Sequence, residues 1–307
     1  MRTVYLDHAA TTPVHPDVVA AMAPFWSDVA GNPSSMHEPG RAARNAVDDA
    51  RDSVARNLGA SPSEVVFTSG GTEGINAAIK GVAVARMAHG RHLVTTAIEH
   101  HAVLHACEWL THLGFETTIV PVDRHGTVDP DDVRRAIRSD TVLASVMFAN
   151  NEIGTIQPVA EIAAVTRHAG VPLHVDAVQA AGTLPIDVDA MGIDLLTISA
   201  HKFRGPKGVG VLTVRAGTPW VPMQSGGAQE RNRRAGTENV AGIVGLATAL
   251  QLANTHRGET NQHLMALRDA TIDRVLAAIP HVQLTGDPHL RLPNNASFAF
   301  QGVEGES

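Results

Sequence analysis

Between residues 64 and 214, short β-branched runs alternate with longer segments of helical period, which restricts this stretch to an α/β domain built on a mostly parallel sheet. Strands are predicted at Glu64–Thr68, His92–Thr96, Glu116–Val120, Thr141–Phe148, Pro172–Val175, Ile193–Ser199 and Val209–Val214. Helices are predicted at Gly74–Met87, Ala102–Leu113, Pro130–Arg138 and Val159–Ala169. Upstream, Arg41–Leu58 sets Ala43, Ala46, Val47, Ala50, Val54 and Leu58 on one stripe with charge opposite, the pattern of a surface helix packed on a core. Downstream, a helical block from Val240 to Ala278 is expected to break near Asn254–Gly258, and Val282–Leu284 and Ala296–Phe300 read as strands of a smaller unit.

Charge narrows the partners. The 31 acidic and 24 basic residues carry a net −7 without long runs of one sign, so there is no electrostatic footprint for nucleic acid or an anionic membrane. A small-molecule role fits better. The single cysteine, Cys107, excludes an internal disulfide framework and points to a reducing compartment. The first residues hold no apolar stretch of signal-peptide length, and no later apolar run reaches the roughly eighteen residues that span a bilayer. A cytoplasmic location is expected.

Of the 24 basic residues only Lys80, Lys202 and Lys207 are lysines, and two of these fall in Ser199-Ala-His-Lys-Phe-Arg-Gly-Pro-Lys-Gly208. A lysine amine, unlike an arginine, loses its proton in a desolvated pocket and condenses with an aldehyde. Lys202 is therefore the first candidate for a Schiff-base residue. Three further clusters follow strands. Ser69-Gly-Gly-Thr-Glu-Gly74 opens a helix, where free amides and the helix N-terminus suit an anion; an ordinary tight turn accounts for Gly70 and Gly71 equally well. Asp176, in His174-Val-Asp-Ala-Val-Gln179, stands at a strand's carboxyl end, where it can hold a protonated ring nitrogen or simply cap the next helix. His100, in Glu99-His-His101, can stack on a planar ligand or move a proton. Asn150 and Asn151 both suit an amide contact to a phenolic oxygen or a carboxylate. His101 and His105 have a metal-ligand spacing, but no cysteine pair, carboxylate set or H-E-x-x-H pattern accompanies them, and no metal is expected.

Together these pieces resemble the class V branch of fold-type I pyridoxal-phosphate enzymes, and within it the cysteine desulfurases of the iron–sulfur assembly type. The resemblance is carried, in family order and spacing, by Tyr5-Leu-Asp-His-Ala-Ala-Thr-Thr-Pro13, Gly31-Asn-Pro-Ser-Ser35, Phe67–Glu73, Glu99-His100, Asn150–Gly154, His174–Gln179, Ser199–Lys202, Gly205–Gly208, Arg234–Thr237 and Val303-Glu-Gly-Glu-Ser307. It implies a seven-stranded, mostly parallel sheet flanked by helices, in a large cofactor-binding domain at 15–261. A small α+β domain would comprise 1–14 and 262–307, truncated at its C-terminus. It implies pyridoxal 5'-phosphate as cofactor and L-cysteine as substrate, with L-alanine and an enzyme persulfide as products. Lys202 would carry the Schiff base and move protons at the substrate α-carbon, Asp176 would pair with the pyridine nitrogen, and His100, the second catalytic residue, would stack on the ring and assist proton transfer. Asn151 and Gln179 would hold the substrate carboxylate and the phenolic oxygen. Gly71, Thr72, Ser199 and His201 would bind the phosphate, completed by Thr237 from the partner of a homodimer. A sulfur-acceptor or scaffold protein is the further partner implied.

The chain departs from that pattern in its nucleophile. In the family the sulfur-accepting cysteine and a carboxylate-clamping arginine lie C-terminal to the Val303–Ser307 segment, so these 307 residues are expected to be part of a longer protein. A truncated desulfurase and one completed by a second polypeptide are the alternatives. Cys107 sits in a helical, apolar run and reads as an inert core residue. A second departure is Gln224-Ser-Gly-Gly-Ala-Gln-Glu230, where relatives carry a histidine and a third glycine. Two other readings stay open: a class V lyase, aminotransferase or epimerase that uses no cysteine nucleophile, and a cofactor-binding partner protein without turnover.

Overall fold

The computed structural model describes residues 4–303; the end of the Val303–Ser307 motif lies outside the described residues. Nine α-helices and nine strands, with three short 3-10 turns, follow one another among the described residues. They are α1 (Pro16–Met22), α2 (Glu38–Leu58), β1 (Val65–Thr68), α3 (Gly71–Arg86), β2 (His92–Thr96), α4 (His101–Leu110), β3 (Glu116–Val120), α5 (Pro130–Ala136), β4 (Thr141–Met147), α6 (Val159–His168) and β5 (Leu173–Asp176). Then come α7 (Val188–Met191), β6 (Leu195–Ser199), β7 (Gly210–Val214), α8 (Gln229–Asn232), α9 (Val240–Ala278), β8 (Val282–Leu284) and β9 (Phe298–Phe300).

Seven strands form one sheet in the order β1-β7-β6-β5-β4-β2-β3, and only β7 runs antiparallel to its neighbours. β1, β2, β4, β5 and β6 therefore all end at the same edge. Every residue of β2, β4, β5 and β6 is buried, because helices cover both faces. On one face α2, α6 and α9 join a cluster that includes Val47, Val54, Ile162, Leu246 and Leu250; on the other, α3 and α4 contribute Ile75, Ile79, Val103 and Leu110.

Two buried histidines stitch the sheet. His92 bridges the Thr141 hydroxyl at 2.7 Å and the Thr118 hydroxyl at 2.8 Å. His174 bridges Ser145 at 2.8 Å and Thr197 at 3.0 Å, which fastens β5 between β4 and β6 two residues before Asp176. Burial pushes the His174 pKa down to about 3, so its ring is neutral.

α2 follows its sequence stripe, opens on a His37 ring that accepts from the Gly40 N–H, and stops at Gly59, which adopts φ 65°. The break expected near Asn254–Gly258 is absent. α9 runs unbroken for 39 residues, because Asn254 donates to Asn57 O at 3.2 Å and Oδ1 at 3.0 Å, and Arg257 donates to Asn254 Oδ1 at 3.0 Å. The two bonds to Asn57, on α2, together with the bond within the helix offset the roughly 1 kcal/mol that a mid-helix glycine such as Gly258 costs. α3 also begins earlier than its pattern suggests, at Gly71. The strand expected at Ala296–Phe300 is shorter, Phe298–Phe300, pairing antiparallel with Val282–Leu284. No helix of the described residues is long and apolar enough to cross a membrane.

Candidate active site

Five strand ends converge on one cavity of about 620 Å³. Gly71, Thr72, His100, Asn151, Asp176, Gln179, Ser199, His201 and Lys202 all line it. Thr237 does not; it lies exposed in the loop before α9.

The anion-facing wall comes from β1, β6 and β7. Thr68 and Ser199 both pair with Gly210, so the β1–α3 turn and the end of β6 lie side by side. Gly210 permits this approach: a Cβ there would stand 2.8 Å from the Gly70 backbone. A Cβ on Gly71 would stand 2.8 Å from Val178 Cγ2. Gly70 at the N-cap of α3 supplies no side-chain cap, so the first amides of a 16-residue helix stay free for an anion beside the Thr72 and Ser199 hydroxyls. Glu73 does not obstruct it, since its carboxylate is engaged by Arg234 at 2.9 Å and by the Ser69 N–H at 2.8 Å.

Asp176 ends β5, is 5% exposed and accepts one protein hydrogen bond, from the Val178 N–H at 3.0 Å. Burial pushes its pKa up to about 6, against the pull of that bond and of the Lys202 charge. A cation placed before it would satisfy the carboxylate. Lys202, in the short 3-10 turn after β6, is half-buried, and burial lowers its pKa while Asp176 and Asp7 pull it back. Its Nζ donates to the Ala9 and Ala10 carbonyls. The Asp7–Thr12 segment thus straps the site, held by Thr12 N–H to His201 O at 2.9 Å, Thr12 Oγ1 to His201 O at 2.7 Å and Gln179 Nε2 to Ala9 O at 2.9 Å.

His100 is the N-cap of α4, its Nδ1 accepting from the Ala102 N–H at 3.0 Å, which assigns the proton of the neutral ring to Nε2. Burial lowers its pKa, and the neighbouring His101 and Lys202 add to that. Asn150 and Asn151 separate cleanly. Asn150 is buried and committed, accepting from the Glu152 and Ile153 N–H groups and donating to Ile98 O, whereas Asn151 faces the cavity with no amide hydrogen bond found among the described residues.

The donor set fits pyridoxal phosphate: a glycine-opened helix N-terminus for the phosphate, a buried carboxylate for a ring cation, and a lysine amine in the same cavity. The sequence reading missed the far wall, Asn294, Asn295, Ala296 and Ser297. The buried Arg291 mounts that wall, donating to Asn295 Oδ1 at 2.9 Å and to Ile153 O at 3.3 Å. Pro293-Asn-Asn reads as an ordinary turn, and no signal in the sequence marks it, because the burial of Arg291 shows only in the fold.

A lysine after a strand end, a carboxylate on the adjacent strand and a glycine-opened helix, all at one edge of a seven-stranded sheet, define a fold-type I pyridoxal-phosphate enzyme. The chain belongs to the aminotransferase class-V family, whose model matches residues 4–307. It is 52% identical over 306 residues to a protein named cysteine desulfurase IscS from Dictyoglomus turgidum, covering 100% of this chain and 78% of that protein. It is 48% identical over 310 residues to an IscS-like cysteine desulfurase of Mycobacterium tuberculosis, covering 99% and 79%. Among solved structures, a NifS-like protein superposes with a TM-score of 0.96 at 40% identity, covering 100% of this chain and 84% of that one. A second, SspA in complex with cysteine, gives 0.79 at 44% identity, covering 81% and 72%.

Proposed function

We propose that this chain is a pyridoxal-phosphate-dependent cysteine desulfurase, removing sulfur from L-cysteine and releasing L-alanine. One observation carries the reading: the Lys202 amine, the Asp176 carboxylate and the free α3 amides share one cavity, the arrangement that would hold the aldehyde, ring nitrogen and phosphate of that cofactor. Bound there, the cofactor supplies an electron sink for the pair left when the substrate α-carbon loses its proton. Lys202 holds the cofactor and moves the proton at that carbon. Burial lowers the affinity of its amine for protons, which favours the free-base form that a proton acceptor needs. Asp176 would keep the ring nitrogen cationic, His100 would stack on the ring and assist proton transfer, Gln179 would contact the phenolic oxygen, and Asn151 would bind the substrate carboxylate. Gly71, Thr72, Ser199 and His201 hold the phosphate, and Thr237 completes the site of a partner copy in a homodimer.

The sulfur itself must pass to a thiolate, forming an S–S bond as the substrate C–S bond breaks. Cys107 cannot serve. It is 4% exposed, and burial pushes its pKa up to about 12. The acceptor thiol is therefore none of the other 306 positions either, since this is the sole cysteine of the sequence. That same observation keeps in view a class V enzyme that uses no cysteine.

Residues 15–261 are read as the large domain and 1–14 with 262–307 as the small one, working in the cytoplasm with an iron–sulfur assembly acceptor or scaffold. The product tests the reading. Cofactor-loaded protein given L-cysteine and an external thiol should release L-alanine and sulfane sulfur in equal amounts. A keto acid without sulfane sulfur would transfer the assignment to the cysteine-independent enzyme.

A further inference from the structure

Glu99 lies in the turn between β2 and α4, one residue before His100, and is 6% exposed. Parallel pairing of β2 with β4 ends at Thr95 and Ser145, yet β4 continues to Met147. There the Met147 N–H donates to Glu99 Oε1 at 2.9 Å, and the Thr96 hydroxyl donates to the same oxygen at 2.6 Å. The carboxyl thus stands in for a strand that has turned away. Met147 is also the ladder partner of Asp176 on β5, so Glu99 braces the residue alongside the carboxylate of the site.

Its other oxygen, Oε2, is buried and makes no hydrogen bond. The groups that face Glu99 give it no countercharge. β2 and β4 offer a hydroxyl and a backbone amide, Asp176 faces it from β5, and Cys107 faces it from α4. Among the described residues no basic side chain hydrogen-bonds to it. A buried carboxylate with an open oxygen and an anionic neighbour is costly, and one proton removes the cost.

We propose that Glu99 is a positioning residue held as the neutral acid, tying the turn that carries His100 to the strand end beside Asp176 without setting a second negative charge beneath it. The role assigned to that floor rests on the cofactor-site reading above, whereas the protonation of Glu99 stands on the geometry alone. Burial pushes the carboxyl up to about 8, outweighing the two bonds at Oε1, and Asp176 adds to the rise. The sign follows. The unfolded chain loses this proton near 4.5 while the folded chain keeps it, so stability falls as pH rises from 4.5 to about 8 and is level beyond.

The test compares the cofactor-loaded wild type, Glu99→Gln and Glu99→Ala by infrared difference spectroscopy and thermal unfolding between about pH 5 and 9. The glutamine keeps the acceptor oxygen for Met147 and Thr96. We expect a protonated-carboxyl band in the wild type at neutral pH that is missing from Glu99→Gln. The melting temperature of the wild type should fall progressively below that of Glu99→Gln between pH 5 and 8, with Glu99→Ala destabilised throughout. An unchanged carboxyl band, or a wild-type-to-glutamine offset that stays constant with pH, would overturn the proposal. The same series without cofactor separates the two claims, because a wrong cofactor assignment leaves this pH dependence in place.

Discussion

Two glutamates are buried to nearly the same depth, Glu230 at 4% and Glu99 at 6% exposure, and they answer burial in opposite ways. Glu230 is closed: Arg51 donates to both its oxygens at 2.8 and 2.7 Å, and the Phe67 N–H adds a bond at 2.9 Å. It pins α8, a left-handed turn in which Glu230, Arg231 and Asn232 have φ of 47°, 58° and 63°, to α2 and β1. Glu99 is open, with one oxygen unpartnered and no basic side chain bonded to it among the described residues. Asp176 is open as well, and it faces the cavity. A carboxylate whose partners are complete within the chain builds the scaffold; one whose partners are incomplete awaits a proton or a ligand.

The sharpest way to break this contrast is Arg51→Met, which takes from the buried Glu230 its cation and leaves it the Phe67 N–H alone. We expect a loss of about 3–5 kcal/mol in denaturant unfolding, largely recovered when Glu230 is also made apolar. A loss below about 1 kcal/mol would remove the distinction between closed and open sites. Next comes His174→Val, which strands the Ser145 and Thr197 hydroxyls and should cost about 1–3 kcal/mol while weakening cofactor binding through Asp176. On the open side, Gly71→Ala forces a Cβ towards Val178. Equilibrium titration should show roughly tenfold weaker cofactor binding, the scale of a 1–3 kcal/mol overpacking penalty, with a smaller change in apo stability. The smallest effect belongs to the half-exposed Arg44–Asp48 pair, where Asp48→Ala should change unfolding by at most about 0.5 kcal/mol.

The sequence made the sheet legible because its strands are short β-branched runs, and most of those between β1 and β4 are followed by a helix of clear period. It made the near wall of the site legible because Lys202, Asp176, His100 and the glycines at 70 and 71 follow strand ends directly. What it hid depends on contacts distant in the chain. The continuity of α9 through Gly258 is set by Asn57, which lies on another helix. The choice between Asn150 and Asn151 is made by backbone amides that only the folded turn presents. Asn294 and Asn295 reach the cavity through the buried Arg291, which looks from sequence like a surface charge. Neither α1 nor the left-handed α8 has a periodic signal, since Pro16–Met22 is 7 residues long and α8 owes its shape to Arg51.

The central claim is that Lys202 is the residue joined to the cofactor, and intact mass after loading with pyridoxal phosphate and reduction with borohydride tests it most directly. Reduction fixes the linkage, and peptide mapping locates it. One adduct per chain on the peptide containing Lys202, abolished in a folded Lys202→Ala variant, is the expected result. No adduct on the wild type, or one on Lys80 or Lys207 that survives the substitution, would contradict the account.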